Sequence, residues 1–140
     1  MMKLNKLVPI VTTDRISEVK AFYTAHLGFS VSFEMGEKHL SINSGKNPEI
    51  EISFMAPESS NESSFSGKGL MYCLAVDDVD FEHQRLKKAG LDIVKQLRDN
   101  LWGDRSFVIA DPVGIEIYIY SLIEPSKEFK QYYQENYETS

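Results

Sequence analysis

Asp111-Pro112-Val113-Gly114-Ile115-Glu116-Ile117-Tyr118-Ile119-Tyr120 is a turn running directly into a strict alternation. Pro and Gly at the second and fourth positions of the turn suit a chain reversal. The alternation has the period of a β-strand, whose successive side chains point to opposite faces. Ile115, Ile117 and Ile119 share one face and must be buried, while Glu116, Tyr118 and Tyr120 share the other. A related stretch, Glu49-Ile50-Glu51-Ile52-Ser53, stands 65 positions upstream. There Ile50, Ile52 and Phe54 form the apolar face, and Glu51 and Ser53 the opposite one.

The landmarks around these two strands repeat as well. Val11-Thr12-Thr13-Asp14 leads a helical stretch that stops at Leu27-Gly28-Phe29, and Val76-Asp77-Asp78-Val79 leads another that stops at Ala89-Gly90-Leu91. The two stop glycines lie 62 positions apart. The same order at nearly the same offset indicates two copies of one unit, spanning 4–57 and 68–122 within a single domain, 1–140. In the first copy a strand over Leu7–Thr12 precedes a helix carrying Ile16, Val19, Phe22, Tyr23 and Leu27, with Thr13 or Asp14 as its N-cap. Strands over Phe29–Glu34, Lys38–Asn43 and Ile50–Phe54 follow. In the second copy a strand over Met71–Val76 and a helix over Val79–Ala89 precede strands over Asp92–Gln96, Ser106–Ala110 and Ile115–Tyr120. Each copy reads βαβββ. A polar, Ser/Gly-rich connector at 58–68 is expected to be mobile. In the tail, 123–140, the residues Phe129, Tyr132, Tyr133 and Tyr137 recur at helical spacing and predict a short amphipathic helix, docked on this chain or on a second subunit.

Composition narrows the function classes. A chain of 140 residues, 42% of them hydrophobic, can bury a sizeable core. Its net charge of −6, from 15 basic and 21 acidic residues with no basic cluster beyond Arg85, Lys87 and Lys88 near a helix end, argues against a nucleic-acid partner. No apolar run approaches a membrane span, and no export signal is visible, which points to the cytoplasm. Cys73 is the lone cysteine, so neither an internal disulfide nor a cysteine-rich metal site is available.

Two βαβββ units, Asp-led helices ending Leu27-Gly28-Phe29 and Ala89-Gly90-Leu91, and the Asp111-Pro112-Val113-Gly114 hairpin together resemble the vicinal oxygen chelate superfamily. This group includes glyoxalase I, extradiol dioxygenases and the fosfomycin- and bleomycin-resistance proteins. The stretch Trp102-Gly103-Asp104-Arg105-Ser106-Phe107 looks most like the bleomycin-resistance branch. The resemblance implies an α+β fold whose two modules form a cup, and a homodimer with grooves between subunits. It also implies metal ligands, in metal-using members, on the first and last strands of each module. The first-strand ligand precedes the helix-leading Asp by seven residues, and the last-strand ligand lies four beyond the turn glycine. Those places hold Leu7 and Met71, and Ser53 and Tyr118. None of them suits a hard or borderline divalent ion, which takes imidazole or carboxylate. The resemblance therefore carries the fold and not metal chemistry; no cofactor and no metal ligand is assigned.

What remains is a cup face rich in acid and aromatic groups. Glu51, Ser53, Glu116, Tyr118 and Tyr120 come from the last strands, Met71 (with Cys73) adds apolar lining, and Phe33 and Trp102 add stacking surface. Such a face suits a flat, apolar or cationic molecule. The expectation is a metal-free protein that sequesters a small aromatic or cationic compound, an antibiotic among the candidates, without covalent chemistry and with no catalytic residue. The competing expectation is a metal-dependent glyoxalase-like lyase, thiol transferase or dioxygenase using Glu51 or Glu116 as ligand or base. A third is a module that binds partners through its tail helix. His26, His39 and His83 fall away from the ligand places and read as structural or surface residues.

Overall fold

A computed structural model describes residues 1–59 and 64–134 of the chain. It divides into two compact units, the first comprising Met1–Lys68 with the turn Asp111–Gly114, the second Gly69–Ala110 with the chain from Ile115 onward. Each unit holds one four-stranded sheet. Residues 60–63 of the expected connector, and 135–140 of the tail with Tyr137, lie outside the described residues.

In the first unit, β1 (Ile10–Thr12), α1 (Ile16–His26), β2 (Phe29–Met35), β3 (His39–Ser44) and β4 (Glu51–Met55) build a sheet of order β1-β4-β3-β2. β1 runs parallel to β4, and the other pairs are antiparallel. The βαβββ reading is right, and the strand bounds move by a few residues. The expected strand from Leu7 begins only at Ile10, since Leu7 makes an isolated bridge to Ile50. Val11, Leu40, Ile42, Ile52 and Phe54 are buried with Ile16, Val19 and Tyr23 of α1. The expected N-cap of α1, Thr13 or Asp14, is two or one residues early. Arg15 is the cap and has no side-chain cap bond, because the Thr13 hydroxyl is spent on the Arg15 N–H at 3.1 Å in a short turn ahead of the helix.

In the second unit, β5 (Met71–Ala75), α2 (Val79–Lys88), β6 (Lys95–Asn100), β7 (Asp104–Ala110) and β8 (Glu116–Leu122) form a sheet of order β5-β8-β7-β6, again with its first and last strands parallel. The Asp that leads this helix caps it: the Asp78 carboxylate accepts the Phe81 N–H at 3.0 Å. Phe107, Ile109, Ile115, Ile117 and Ile119 are buried, with Val79 and Leu86 of α2 in the same core. β6 lies at Lys95–Asn100 rather than 92–96, and its pairing with β7 is broken by a bulge between Lys95 and Arg98. Its sequence, Lys95-Gln96-Leu97-Arg98-Asp99-Asn100, is polar because it is an edge strand, and edge strands carry little alternation to read. The expected tail helix shrinks to one turn, α3 (Lys127–Lys130). It docks on its own unit: the Phe129 ring lies edge-on to Trp102 at 6.3 Å, and Tyr133 donates its hydroxyl to the Trp102 carbonyl.

Among the described residues, no helix is long and apolar enough to cross a membrane.

Candidate functional site

The face of the second sheet turned away from α2 follows from register. Met71 lies beside Glu116, Cys73 beside Tyr118 and Ala75 beside Tyr120. On the other side of β8, Tyr118 lies beside Val108, Tyr120 beside Ser106 and Leu122 beside Asp104. Alternation thus brings Met71, Glu116, Tyr118 and Tyr120 to one face, as the sequence predicts, and their isoleucine neighbours to the core. The Tyr118 and Tyr120 rings are tilted neighbours, 6.0 Å apart.

This face is organised by a carboxylate that sequence reasoning missed. Asp104, at the start of β7, is only 8% exposed. Its Oδ1 accepts from the Asn100 amide at 2.8 Å and the Tyr118 hydroxyl at 2.8 Å. Its Oδ2 lies 2.9 Å from the same hydroxyl and accepts from the Trp102 indole at 3.1 Å. The Asn100 amide also donates to Ser106 Oγ at 2.8 Å, and the indole reaches the Tyr118 oxygen at 3.1 Å. Every donor is neutral. A buried carboxylate without a cation is tolerated only when hydrogen bonds replace its lost water, and here three side chains are committed to that task. The strand expected from Ser106 begins two residues earlier, which is what places Asp104 on this face. Extending the period of two back from Ser106 would have found it.

Electrostatics follow. Tyr118 is pushed above the ordinary phenol value, first by burial and then by its bond to Asp104 and that residue's charge, against the lowering effect of Ser106 and Trp102. The Cys73 thiol is likewise raised, by desolvation and then by the Asp104 charge, so it is no thiolate at neutral pH. Glu116 is half-buried and, among the described residues, has no ion-pair partner. Trp102 is 40% exposed with its N–H inward, leaving ring surface open. Arg105 points the other way and is held by Asp80 and Asp99 at 2.9 and 3.0 Å.

The predicted residues of the first unit are placed differently. Glu51 is no free carboxylate: Lys6 holds it at 2.9 Å and the Ser32 hydroxyl lies 3.4 Å away. The buried Ser53 hydroxyl is 2.7 Å from that of Ser41. Phe33 is 49% exposed, with its ring edge-on to His39 at 5.0 Å.

The four places that would ligate a metal in metal-using relatives therefore present an exposed leucine, a buried hydroxyl already bonded, a methionine and a phenol bonded to Asp104. Among the described residues, no three His, Cys, Asp or Glu side chains converge to hold an ion. The donor set does not fit such a metal.

The sequence pattern of the Glyoxalase/Bleomycin resistance protein/Dioxygenase superfamily matches residues 3–119. A protein of Mycobacterium bovis, described only as uncharacterized, is 41% identical over 71 residues, 51% of this chain and 45% of its own length. The match thus spans less than half of that relative. The crystal structure of UcmS2 superposes with a TM-score of 0.71 at 24% identity, covering 85% of this chain and 98% of the other. That of a glyoxalase/bleomycin resistance protein/dioxygenase from Nocardioides gives 0.72 at 17% identity, covering 89% and 87%. At these identities the two structures show a shared fold.

Proposed function

We propose that this chain, which belongs to the Glyoxalase/Bleomycin resistance protein/Dioxygenase superfamily, is a metal-free small-molecule-binding protein that sequesters an aromatic or cationic compound. The observation that carries the reading is the state of Tyr118. The place from which metal-using relatives extend a carboxylate or imidazole holds a phenol whose proton is committed to the buried Asp104. Around it stand Met71, Trp102, Glu116 and Tyr120, a surface of aromatic faces with two carboxylates and, among the described residues, no ion pair to either of them.

Such a surface favours a flat cation. An aromatic ring attracts a cation over its face, by about 0.5–2 kcal/mol depending on desolvation, and the negative field of Asp104 and Glu116 adds charge pairing. Catalysis is not required by any of this, since no nucleophile with an adjacent base is formed: the Cys73 thiol is raised, and no histidine lies on this face. The placement nearest the bleomycin-resistance branch is part of the same proposal and rests on the run Trp102–Phe107. Assembly as a homodimer belongs to it too, and light scattering after gel filtration measures that directly.

The test is a thermal melt of the purified protein, with metal analysis, against Ni²⁺, Zn²⁺, Mn²⁺ and Fe²⁺ and against a panel of cationic aromatic compounds. A ligand at 100 times its Kd adds about 2.7 kcal/mol, a rise of several degrees. The expected result is no bound equivalent of these metals, flat melts with them, and a rise with a cationic aromatic that Trp102→Ala and Glu116→Gln both diminish. One equivalent of tightly held Ni²⁺, Zn²⁺, Mn²⁺ or Fe²⁺, with a lyase, thiol-transferase or dioxygenase activity lost on chelation, would replace this reading with the enzymatic one.

A further inference from the structure

Three residues of the first unit form a straight row across its sheet. Met35 of β2 is registered with His39 of β3, and His39 with Met55 of β4. Directly opposed residues of antiparallel strands project from the same face with Cβ atoms about 4.5–5.5 Å apart. The face is the one away from α1, because their sequence neighbours Leu40 and Phe54 are fully buried in the core. Glu34, also beside Leu40, points towards the helix and meets Lys20 of α1 at 2.8 Å. Together Met35, His39 and Met55 line a cavity of about 320 Å³, with Lys38 and Glu58 also on its wall.

His39 supplies a second observation. Its Nε2 is buried without a hydrogen-bond partner, whereas nearly all buried polar groups have one. His39 is registered between Met35 and Met55 in this row, and the Phe33 ring lies edge-on beside it.

The donor chemistry discriminates among occupants. The three donors are two thioethers and an imidazole nitrogen, with no carboxylate or thiolate among them, and the wall carries one acidic and one basic residue, Glu58 and Lys38, so a divalent ion would surrender its hydration for little return. Soft thioether ligands select Cu(I), and imidazole suits copper as well. A monovalent, soft, weakly hydrated ion is the one that fits. We propose that Met35, His39 and Met55 form a binding site for Cu(I), for which Ag(I) is a stable surrogate. None of these three residues is among the four ligand positions Leu7, Ser53, Met71 and Tyr118, and the ion differs from the borderline metals tested there, so either reading can fail without the other.

The experiment uses the full chain carrying Cys73→Ser, which removes the other soft donor, with its methionine methyl groups labelled for NMR. The chain has five methionines, and the three outside the row, Met1, Met2 and Met71, serve as internal controls. On titration with Ag(I), the Met35 and Met55 resonances and the His39 ring are expected to shift and saturate at one equivalent, while Met1, Met2 and Met71 stay. Competition with a Cu(I)-specific chelator then measures affinity. Met35→Leu and Met55→Leu each weaken it by roughly tenfold or more, with thermal melts nearly unchanged, since such swaps conserve volume and Met35 is 52% exposed. No saturable shift, saturation at Met1, Met2 or Met71 instead, or unchanged affinity in the double Leu variant would overturn the proposal.

Discussion

The Tyr118 hydroxyl stands 2.8 and 2.9 Å from the two carboxylate oxygens of Asp104, bridging β8 and β7 on the face away from α2. It is one of three side chains that replace solvent around that buried charge. Removing it leaves a desolvated carboxylate one donor short, which costs about 1–3 kcal/mol. Tyr118→Phe should therefore lower the Tm by roughly 3–10 °C. Calorimetry that shows no change would mean water takes over the vacated position at no cost.

The same contact sets an alkaline titration. Because folding raises the Tyr118 pKa above its ordinary value of 10.0, the folded state keeps this proton where the unfolded state has begun to lose it. The stabilising contribution is complete below that pH and disappears as the pH climbs through the folded value. The difference in near-ultraviolet absorbance between the wild-type chain and Tyr118→Phe should show one phenol ionising above pH 10.0. A midpoint below it would contradict the assigned cause.

Cys73 of β5 reports on Asp104 of β7 from the far side of β8. Its thiol is raised above the ordinary 9.0 by desolvation first and by the Asp104 charge second. Alkylation by iodoacetamide at pH 9.0 should be slower than for free cysteine and keep accelerating as the pH rises. Asp104→Asn removes the charge but not the desolvation, so it should accelerate the reaction only in part. Identical rates in the two proteins would remove Asp104 from the account.

Two glycines with the same φ of +84° separate conformational strain from crowding. A Cβ on Gly69 meets nothing within 4 Å, whereas one on Gly67 falls 2.5 Å from the Gly114 carbonyl carbon and 2.7 Å from its oxygen. Gly69→Ala should cost about 1 kcal/mol, the left-handed penalty alone. Gly67→Ala must also displace backbone and should cost several times more. Equal urea midpoints would show that the 67–114 approach is not maintained.

In the first unit, Tyr23 of α1 is 1% exposed and donates its hydroxyl to Asp111 at 2.8 Å. The other oxygen of Asp111 accepts the N–H groups of Val113 and Gly114, both at 2.9 Å, which closes the turn. Tyr23→Phe keeps the ring packing against Phe29 and Phe54 and deletes one bond to a buried charge. A loss of about 1.5–3 kcal/mol by urea denaturation is expected; a neutral outcome would place the stability of the turn in its backbone bonds.

The sequence by itself determined the βαβββ duplication, because buried isoleucines at a period of two, apolar helix faces and the glycines that end each helix are local signals. It also determined which residues of β8 share a face. What it left out depends on pairing across strands. Asp104 and Asn100 look like ordinary loop-edge polar residues until β6, β7 and β8 come into register and focus three neutral donors on one carboxylate. Glu51 looks like a free acid until Lys6, 45 residues away, closes on it. Met35, His39 and Met55 carry no sequence spacing that marks them as a set, and only the sheet aligns them. Alternation along a strand is set by each residue's immediate neighbours, so it is written in the chain. Register between strands is set by the packing of the whole core, so only the tertiary structure decided which polar groups meet.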